Sequence, residues 1–204
     1  MKRLAALLSA LLALGCLRCP AITPVVSLGV EWGIEPQIAS MHRFNYVCAE
    51  GYRVNDQWSG IDYHTNAFVT GNISFNIARW FRLGLYSGYC GVSKNVNVVP
   101  LTLRLSFYPK GWNADGFLYF LDSGVGFHLR KAGDPEQSPC ILVKGGAGYR
   151  HILSSDASLD FLLTARGVID RPLIEDPDGY GYVTDVRYCS AAYLALGFSI
   201  ALNF

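Results

Sequence analysis

Charged residues make up only 16% of this 204-residue chain, so the places where they do occur are informative. Nine of them sit in otherwise apolar stretches: Glu31, Glu35, Arg82, Arg104, Asp122, Lys144, Arg150, Asp160 and Arg166. Four acids and five bases gathered away from water can neutralise one another as a hydrogen-bonded ion network. A gated narrow pore or a proton path is the sharper alternative, and it needs a continuous wet route. Cys48, Cys90, Cys140 and Cys189 are candidates for disulfides in an oxidising compartment. Cys48–Cys90 with Cys140–Cys189 is one of three connectivities, and four small packing residues are the alternative.

Other candidate chemistries are thinner. "DPDGYGYVTD", Asp176 to Asp185, spaces carboxylates and glycine roughly as a calcium loop does, but the required spacing and terminal Glu are missing. Pro177, Asp178 and Gly179 already make a good turn without metal. "KGGAG", Lys144 to Gly148, lacks the length and the Ser/Thr of a phosphate loop; its glycines make room in a tight structure instead. Nucleophilic catalysis would need a histidine beside a hydroxyl and a carboxylate. His64 and His128 fall on the inward, lumen-facing parity of their segments, His42 has no serine two residues on although Ser40 is near, and His151 precedes Ser154 and Ser155 at a turn. No catalytic, cofactor-binding or metal-binding residue is therefore assigned, and no cofactor is expected.

The segment "SMHRFNYVCAEGYRVNDQWSG", Ser40 to Gly60, brings together Arg43, Phe44, Tyr46, Tyr52, Arg53 and Trp58. Tyr, Trp and Arg are the residues enriched at binding hot spots, which makes this loop the best candidate for recognising an extracellular protein or glycan. Its alternative is a pair of β-extensions packing their own aromatics.

The elements that must position these residues show a period of two. In the final segment Tyr188, Leu194, Leu196, Phe198, Ile200, Leu202 and Phe204 share one face; Cys189, Ala191, Tyr193, Gly197, Ser199 and Asn203 share the other. The same sorting works on seven more segments, beginning near Val26, Asp62, Phe81, Val99, Phe117, Cys140 and Ser158. In each, one parity is apolar, and the opposite parity carries the nine ionisable residues, with Cys90, Cys140 and Cys189 among them. Eight segments of about ten residues or more suit eight strands crossing a bilayer at a tilt, and an even number permits closure without an unpaired edge. The predicted fold is an all-β, eight-stranded antiparallel up-and-down transmembrane barrel of meander topology. Turns at Ala78 to Trp80, Pro109 to Gly116 and Ile152 to Ala157 are short, whereas the opposite links include two long ones, 39–60 and 171–186. Short periplasmic turns and longer outer loops are the outer-membrane arrangement.

At the other end of the chain, Lys2 and Arg3 precede "LAALLSALLALG", a signal-peptide pattern too short to span a bilayer. Cys19 and Ala21 suggest cleavage after Ala21, giving residues 1–21 as leader and 22–204 as one barrel domain. "ALGC", ending at Cys16, loosely resembles a lipidation site. Removing the three basic residues of the leader, Lys2, Arg3 and Arg18, from 17 basic and 16 acidic residues turns a formal charge of +1 into about −2. No basic field for nucleic acid exists. A 51% hydrophobic composition without a run of 18 apolar residues in the mature chain fits membrane β-structure.

Signal peptide, eight dyad-repeat strands and the terminal "GFSIALNF" together resemble the small outer-membrane β-barrels of Gram-negative bacteria, of OmpA-transmembrane and OmpX-like architecture. The resemblance covers the mature chain at the level of architecture, and a glycine expected near Ser199 is displaced to Gly197. It implies that Phe198, Ile200, Leu202 and Phe204 form the signal read by the outer-membrane insertion machinery, with outer-membrane lipid as the other partner. The expected role is structural or surface recognition around a plugged lumen. The alternatives are a soluble exported lipocalin-like barrel, a narrow small-solute channel and a lipid-modifying enzyme; the lipid A deacylases use a lipid-facing His-x-Ser pattern that is absent here.

Overall fold

A computed structural model describes residues 26–94, 96–129, 135–175, 181–183 and 185–204. The expected leader, the candidate lipidation site at Cys16 and most of the Asp176 to Asp185 segment lie outside the described residues. Ten strands form in chain order: β1 (Val26–Ile34), β2 (Gln37–Val47), β3 (Arg53–Gly60), β4 (Ala67–Ala78), β5 (Phe81–Ser93), β6 (Val96–Phe107), β7 (Gly116–His128), β8 (Cys140–Ile152), β9 (Ser158–Asp170) and β10 (Asp185–Asn203). Eight of them, in the order β1-β4-β5-β6-β7-β8-β9-β10, close into a barrel through an antiparallel β1–β10 pairing.

Closure converts the two-residue period into inside and outside. Along β6, Leu101, Leu103, Leu105 and Phe107 are exposed while Thr102, Arg104 and Ser106 are buried. The same holds around the wall, with Leu28, Val69, Leu85, Leu121, Val143, Leu163 and Phe198 exposed. Apolar side chains left outward around a closed wall match a hydrocarbon surrounding, and the closed antiparallel ladder leaves the wall no unpaired edge strand.

The remaining two strands replace the expected first loop. β1 and β2 run almost end to end, separated by Glu35 and Pro36; proline has no N–H to give the ladder, although its carbonyl still accepts from Leu196 N at 3.1 Å. β10 pairs first with β1 and then, beyond a register shift at Leu194/Ala195, with β2 up to Val47↔Asp185. A tilted strand needs about 9–11 residues to cross a membrane, and β10 has 19. Its outer half therefore stands clear of the bilayer, with the β2–β3 hairpin fastened along it. Residues 39–60 thus take the form of the alternative reading, a pair of β-extensions.

Glycines let the wall curve tightly. A Cβ at Gly146 would run into the Leu163 carbonyl oxygen and the Phe120 ring, so the "KGGAG" glycine there makes room for a close approach rather than cradling a phosphate. Inside, one apolar cluster of Tyr108, Leu118, Phe120, Leu162 and Ala201 lies toward the periplasmic turns. A larger one, including Phe68, Val92, Val98, Leu142, Val168 and Tyr193, lies toward the outer mouth. The ionised groups lie between and below them.

Candidate functional site

All nine residues of the expected lumen network are buried, none more than 9% exposed. Their contacts fall in three tiers. Nearest the periplasm, Arg150 grips Asp160 in a two-point fork, Nε and Nη2 to the carboxylate oxygens at 2.6 Å each, and donates from Nη1 to the Trp112 carbonyl. The Asn203 amide adds a bond to Asp160 at 3.1 Å. Arg82 donates from Nε to Asn76 Oδ1 at 2.7 Å and lies against Tyr108 and Trp112.

In the middle tier Arg104 forks onto Asp122 at 2.6 and 2.7 Å and reaches Glu31 with its third nitrogen at 2.6 Å. Its guanidinium lies 4.1 Å from the Tyr86 ring centroid and 4.2 Å from that of Phe120. Glu31 also accepts from Lys144 at 2.8 Å and from Ser199 at 2.9 Å. Above it, Glu35 is shared between Lys144 at 2.9 Å and Arg166 at 2.8 Å, and accepts from Thr164 at 3.0 Å. Arg166 further contacts the Cys90 sulfur and the Gly91 carbonyl. A cavity of about 40 Å³ lies among Arg104, Asp122, Lys144, Glu35 and Arg166.

At the outer mouth the structure joins residues whose pairing cannot be read from sequence. His128 Nε2 lies 3.0 Å from Asp170 Oδ1, with both side chains buried, and that carboxylate also accepts from Arg171 N. Gln137 Nε2 reaches the Arg171 carbonyl at 3.1 Å. The end of β7 is thereby tied to the segments that precede β8 and follow β9. Inward parity was the only available signal for His128 and Asp170.

The two disulfides weighed from sequence do not form: the four cysteines among the described residues are free thiols. The reason is distance. Cys48 lies past the end of β2, whereas Cys90 pairs with Phe68, which is level with Gly33 near the end of β1. Some 15 residues at ~3.3 Å each separate the two levels. Cys140 and Cys189 lie on β8 and β10 with β9 between them; two strand spacings are ~9.6 Å, beyond the ~7 Å that a disulfide spans. Cys189 instead donates to the Pro172 carbonyl at 3.1 Å. Burial first, and then the neighbouring Asp170 charge, push its thiol up to about 11.

On the outer hairpin, Arg43, Tyr52, Arg53 and Trp58 are exposed, and Phe44 is half-buried. Tyr46 is buried, which removes it from the set a partner could touch. His42 stacks among Phe44, Trp58 and Tyr193 at ring-centroid distances of 5.7, 5.4 and 5.5 Å. Burial there holds its imidazole below the ordinary value, against an opposing pull from Asp62. At the periplasmic end His151 faces Asp115 at 3.5 Å with both exposed, while Ser154 and Ser155 are engaged with Asp156 inside their own turn. Phe198 and Phe204 face outward and are exposed, with Ile200 and Leu202 half-buried beside them. Phe204 exchanges backbone bonds with Leu28, anchoring the last residue to β1.

No family model and no curated protein matches this chain. Among solved structures it is similar to the outer membrane protein OprG from Pseudomonas aeruginosa, with a TM-score of 0.52 and 12% identity over 87% of this chain and 95% of that one. Neisserial surface protein A matches at a TM-score of 0.44 and 8% identity, over 85% of this chain and 95% of that one. The Escherichia coli outer membrane protease OmpT matches at 0.38 and 8%, over 92% and 99%. The first of these shares the fold. With the apolar outward face and the closed eight-stranded wall, the architecture is that of a Gram-negative outer-membrane β-barrel.

Proposed function

We propose that this barrel's lumen is plugged by its own side chains and that the protein acts at the cell surface, as a structural or recognition protein, through the β2–β3 hairpin. The observation that supports this reading is the sharing of Glu31 and Glu35 between cations from different strands. Arg104 on β6, Lys144 on β8 and Arg166 on β9 all converge on these two carboxylates of the β1–β2 run. A solute crossing the lumen would have to break several buried ion pairs at once, and the space among them holds only a few waters. The apolar cluster above them adds a dry layer.

The partner proposed is an extracellular protein or glycan meeting exposed Arg43, Tyr52, Arg53 and Trp58. No catalytic site and no cofactor are part of the proposal. Planar-bilayer recording of the refolded protein should show no stable unit conductance; reproducible single-channel steps would overturn the plug. Cells displaying the protein should bind a glycan array or host matrix proteins in a manner lost on Trp58→Ala with Arg53→Ala. We also propose that the outer-membrane insertion machinery reads Phe204, Leu202, Ile200 and Phe198. Phe204→Ala should slow the appearance of the heat-modifiable folded band in a pulse-chase while leaving the stability of the folded barrel nearly unchanged.

A further inference from the structure

A buried charge is costly unless compensated, and the lumen's compensation leaves one cation over. Arg104 takes Asp122 and Glu31, Lys144 takes Glu31 and Glu35, Arg166 takes Glu35, and Arg150 takes Asp160. Arg82 has no carboxylate within salt-bridge distance among the described residues, although it is only 4% exposed. Its Nε is used by Asn76. The ring centroids of Tyr108 and Trp112 are 5.5 and 5.8 Å away, so they soften its charge without neutralising it. A guanidinium has five N–H donors, and those beyond Nε have no hydrogen-bond acceptor among the described residues.

Arg82 lines a cavity of about 270 Å³ at the periplasmic mouth of the barrel. Arg150, Trp112, Asn113, Ser158 and Asn203 form part of its wall, which is rich in hydroxyl and amide groups and carries one carboxylate, Asp156, on the turn at its rim. Asp160 is already spent on Arg150 and Asn203, and Asp156 accepts from Ser155 in its own turn. The space is several times what one water needs.

We infer that this mouth is a binding site for a small oxyanion, a carboxylate or phosphate group entering from the periplasm and held by Arg82. The planar fork of a guanidinium suits both groups, and a partly dry pocket strengthens the bond. Arg150 contributes positive potential while its own fork stays on Asp160. The site lies at the opposite end of the barrel from the outer hairpin, so this inference stands apart from the surface role proposed above.

The test uses the full folded barrel in detergent micelles at constant ionic strength, titrated separately with sodium phosphate, sodium acetate and sodium chloride. The readouts are the thermal midpoint of the heat-modifiable gel shift and tryptophan emission, with Trp112→Phe used to assign the optical signal to the pocket. Phosphate or acetate should give a saturable rise in midpoint and a saturable Trp112 signal, and chloride should give neither. Arg82→Gln should weaken that response about tenfold or more, since a charge-assisted bond contributes ~1.5–3 kcal/mol, and Arg82→Lys should retain part of it. No saturable response in the wild type, an equal response to chloride, or an unchanged response in Arg82→Gln would each overturn the site. Should Arg82→Gln fail to fold, the wild-type titrations and Arg82→Lys decide the matter.

Discussion

Arg104 is the keystone of the middle tier, and removing it tests whether the lumen is held by charge pairing. Its side chain is 5% exposed, Glu31 is fully buried and Asp122 is nearly so. Arg104→Met keeps much of the volume but strands Asp122, whose side-chain hydrogen bonds among the described residues come from Arg104 Nε and Nη2 alone. Glu31 is better provided for, keeping Lys144 and Ser199. Breaking one side of a buried pair costs ~3–5 kcal/mol because an uncompensated charge remains, and losing the contacts with Tyr86 and Phe120 adds ~1 kcal/mol. The expected loss is thus about 4–6 kcal/mol. With a urea slope of ~2 kcal/mol/M this moves the unfolding midpoint down by roughly 2–3 M. Urea unfolding in lipid bilayers, followed by the gel shift and by fluorescence, measures it. Removing the stranded carboxylate as well, in Arg104→Met with Asp122→Leu, should recover most of the loss, giving a coupling of at least ~2 kcal/mol in the double-mutant cycle. A single-variant cost below ~1 kcal/mol, or strictly additive variants, would refute the claim that pairing organises the lumen.

Three further outcomes are expected. Leu103→Arg, which places a charge on the outward face of β6, should destabilise the barrel by ~2–4 kcal/mol if that position lies near the bilayer midplane, read as a lower urea midpoint in lipid. His42 should titrate below its ordinary value in an NMR pH series. Because its folded-state value is depressed, the hairpin loses stability as pH falls from the unfolded-state value near 6.5 toward the lower folded one, and Trp58 emission should report the loosening. All four described cysteines should react with a thiol reagent in urea but resist it when folded, with Cys189 slow at pH 8 because its thiol is pushed up to about 11. Gel migration should be the same with and without reductant.

What could be read from sequence was parity, and closure explains why it sufficed for the wall. Once eight strands close, alternation alone sends Leu103 out and Arg104 in, whatever the register. Partners needed more. Arg104 meets Asp122 and Arg150 meets Asp160 because they are direct cross-strand neighbours, and no periodicity sets that offset. Glu31 meets Arg104 across the barrel, a relation of closure rather than of adjacent strands. Sequence left disulfides and small packing residues both open for the same reason: shared parity placed Cys140 and Cys189 inside but could not count the strand between them. The outer hairpin could be read as strand only as an alternative, because β3, "RVNDQWSG", meets water along nearly all its length and shows no apolar parity. Tyr46 was misjudged from composition, since an aromatic on a hairpin can pack inward as easily as face a partner.

Alternation by itself has two solutions, and their energetics separate them. In a water-soluble calyx the apolar parity would fill the interior and the nine ionised groups would be solvated outside, each at little cost. Here the assignment is reversed, and burying nine charges is tolerable only because four carboxylates and four of the five bases pair at 2.6–2.9 Å. The small bore of an eight-stranded barrel makes that possible, since it brings side chains from opposite walls within reach. The outward face of exposed leucines, isoleucines and aromatics would be a severe liability in water, far beyond the patch sizes soluble monomers carry, and it becomes the stabilising surface in lipid. The same reversal isolates Arg82: a fifth base on a solvated surface would need nothing, whereas in the lumen it remains an uncompensated charge facing an accessible cavity.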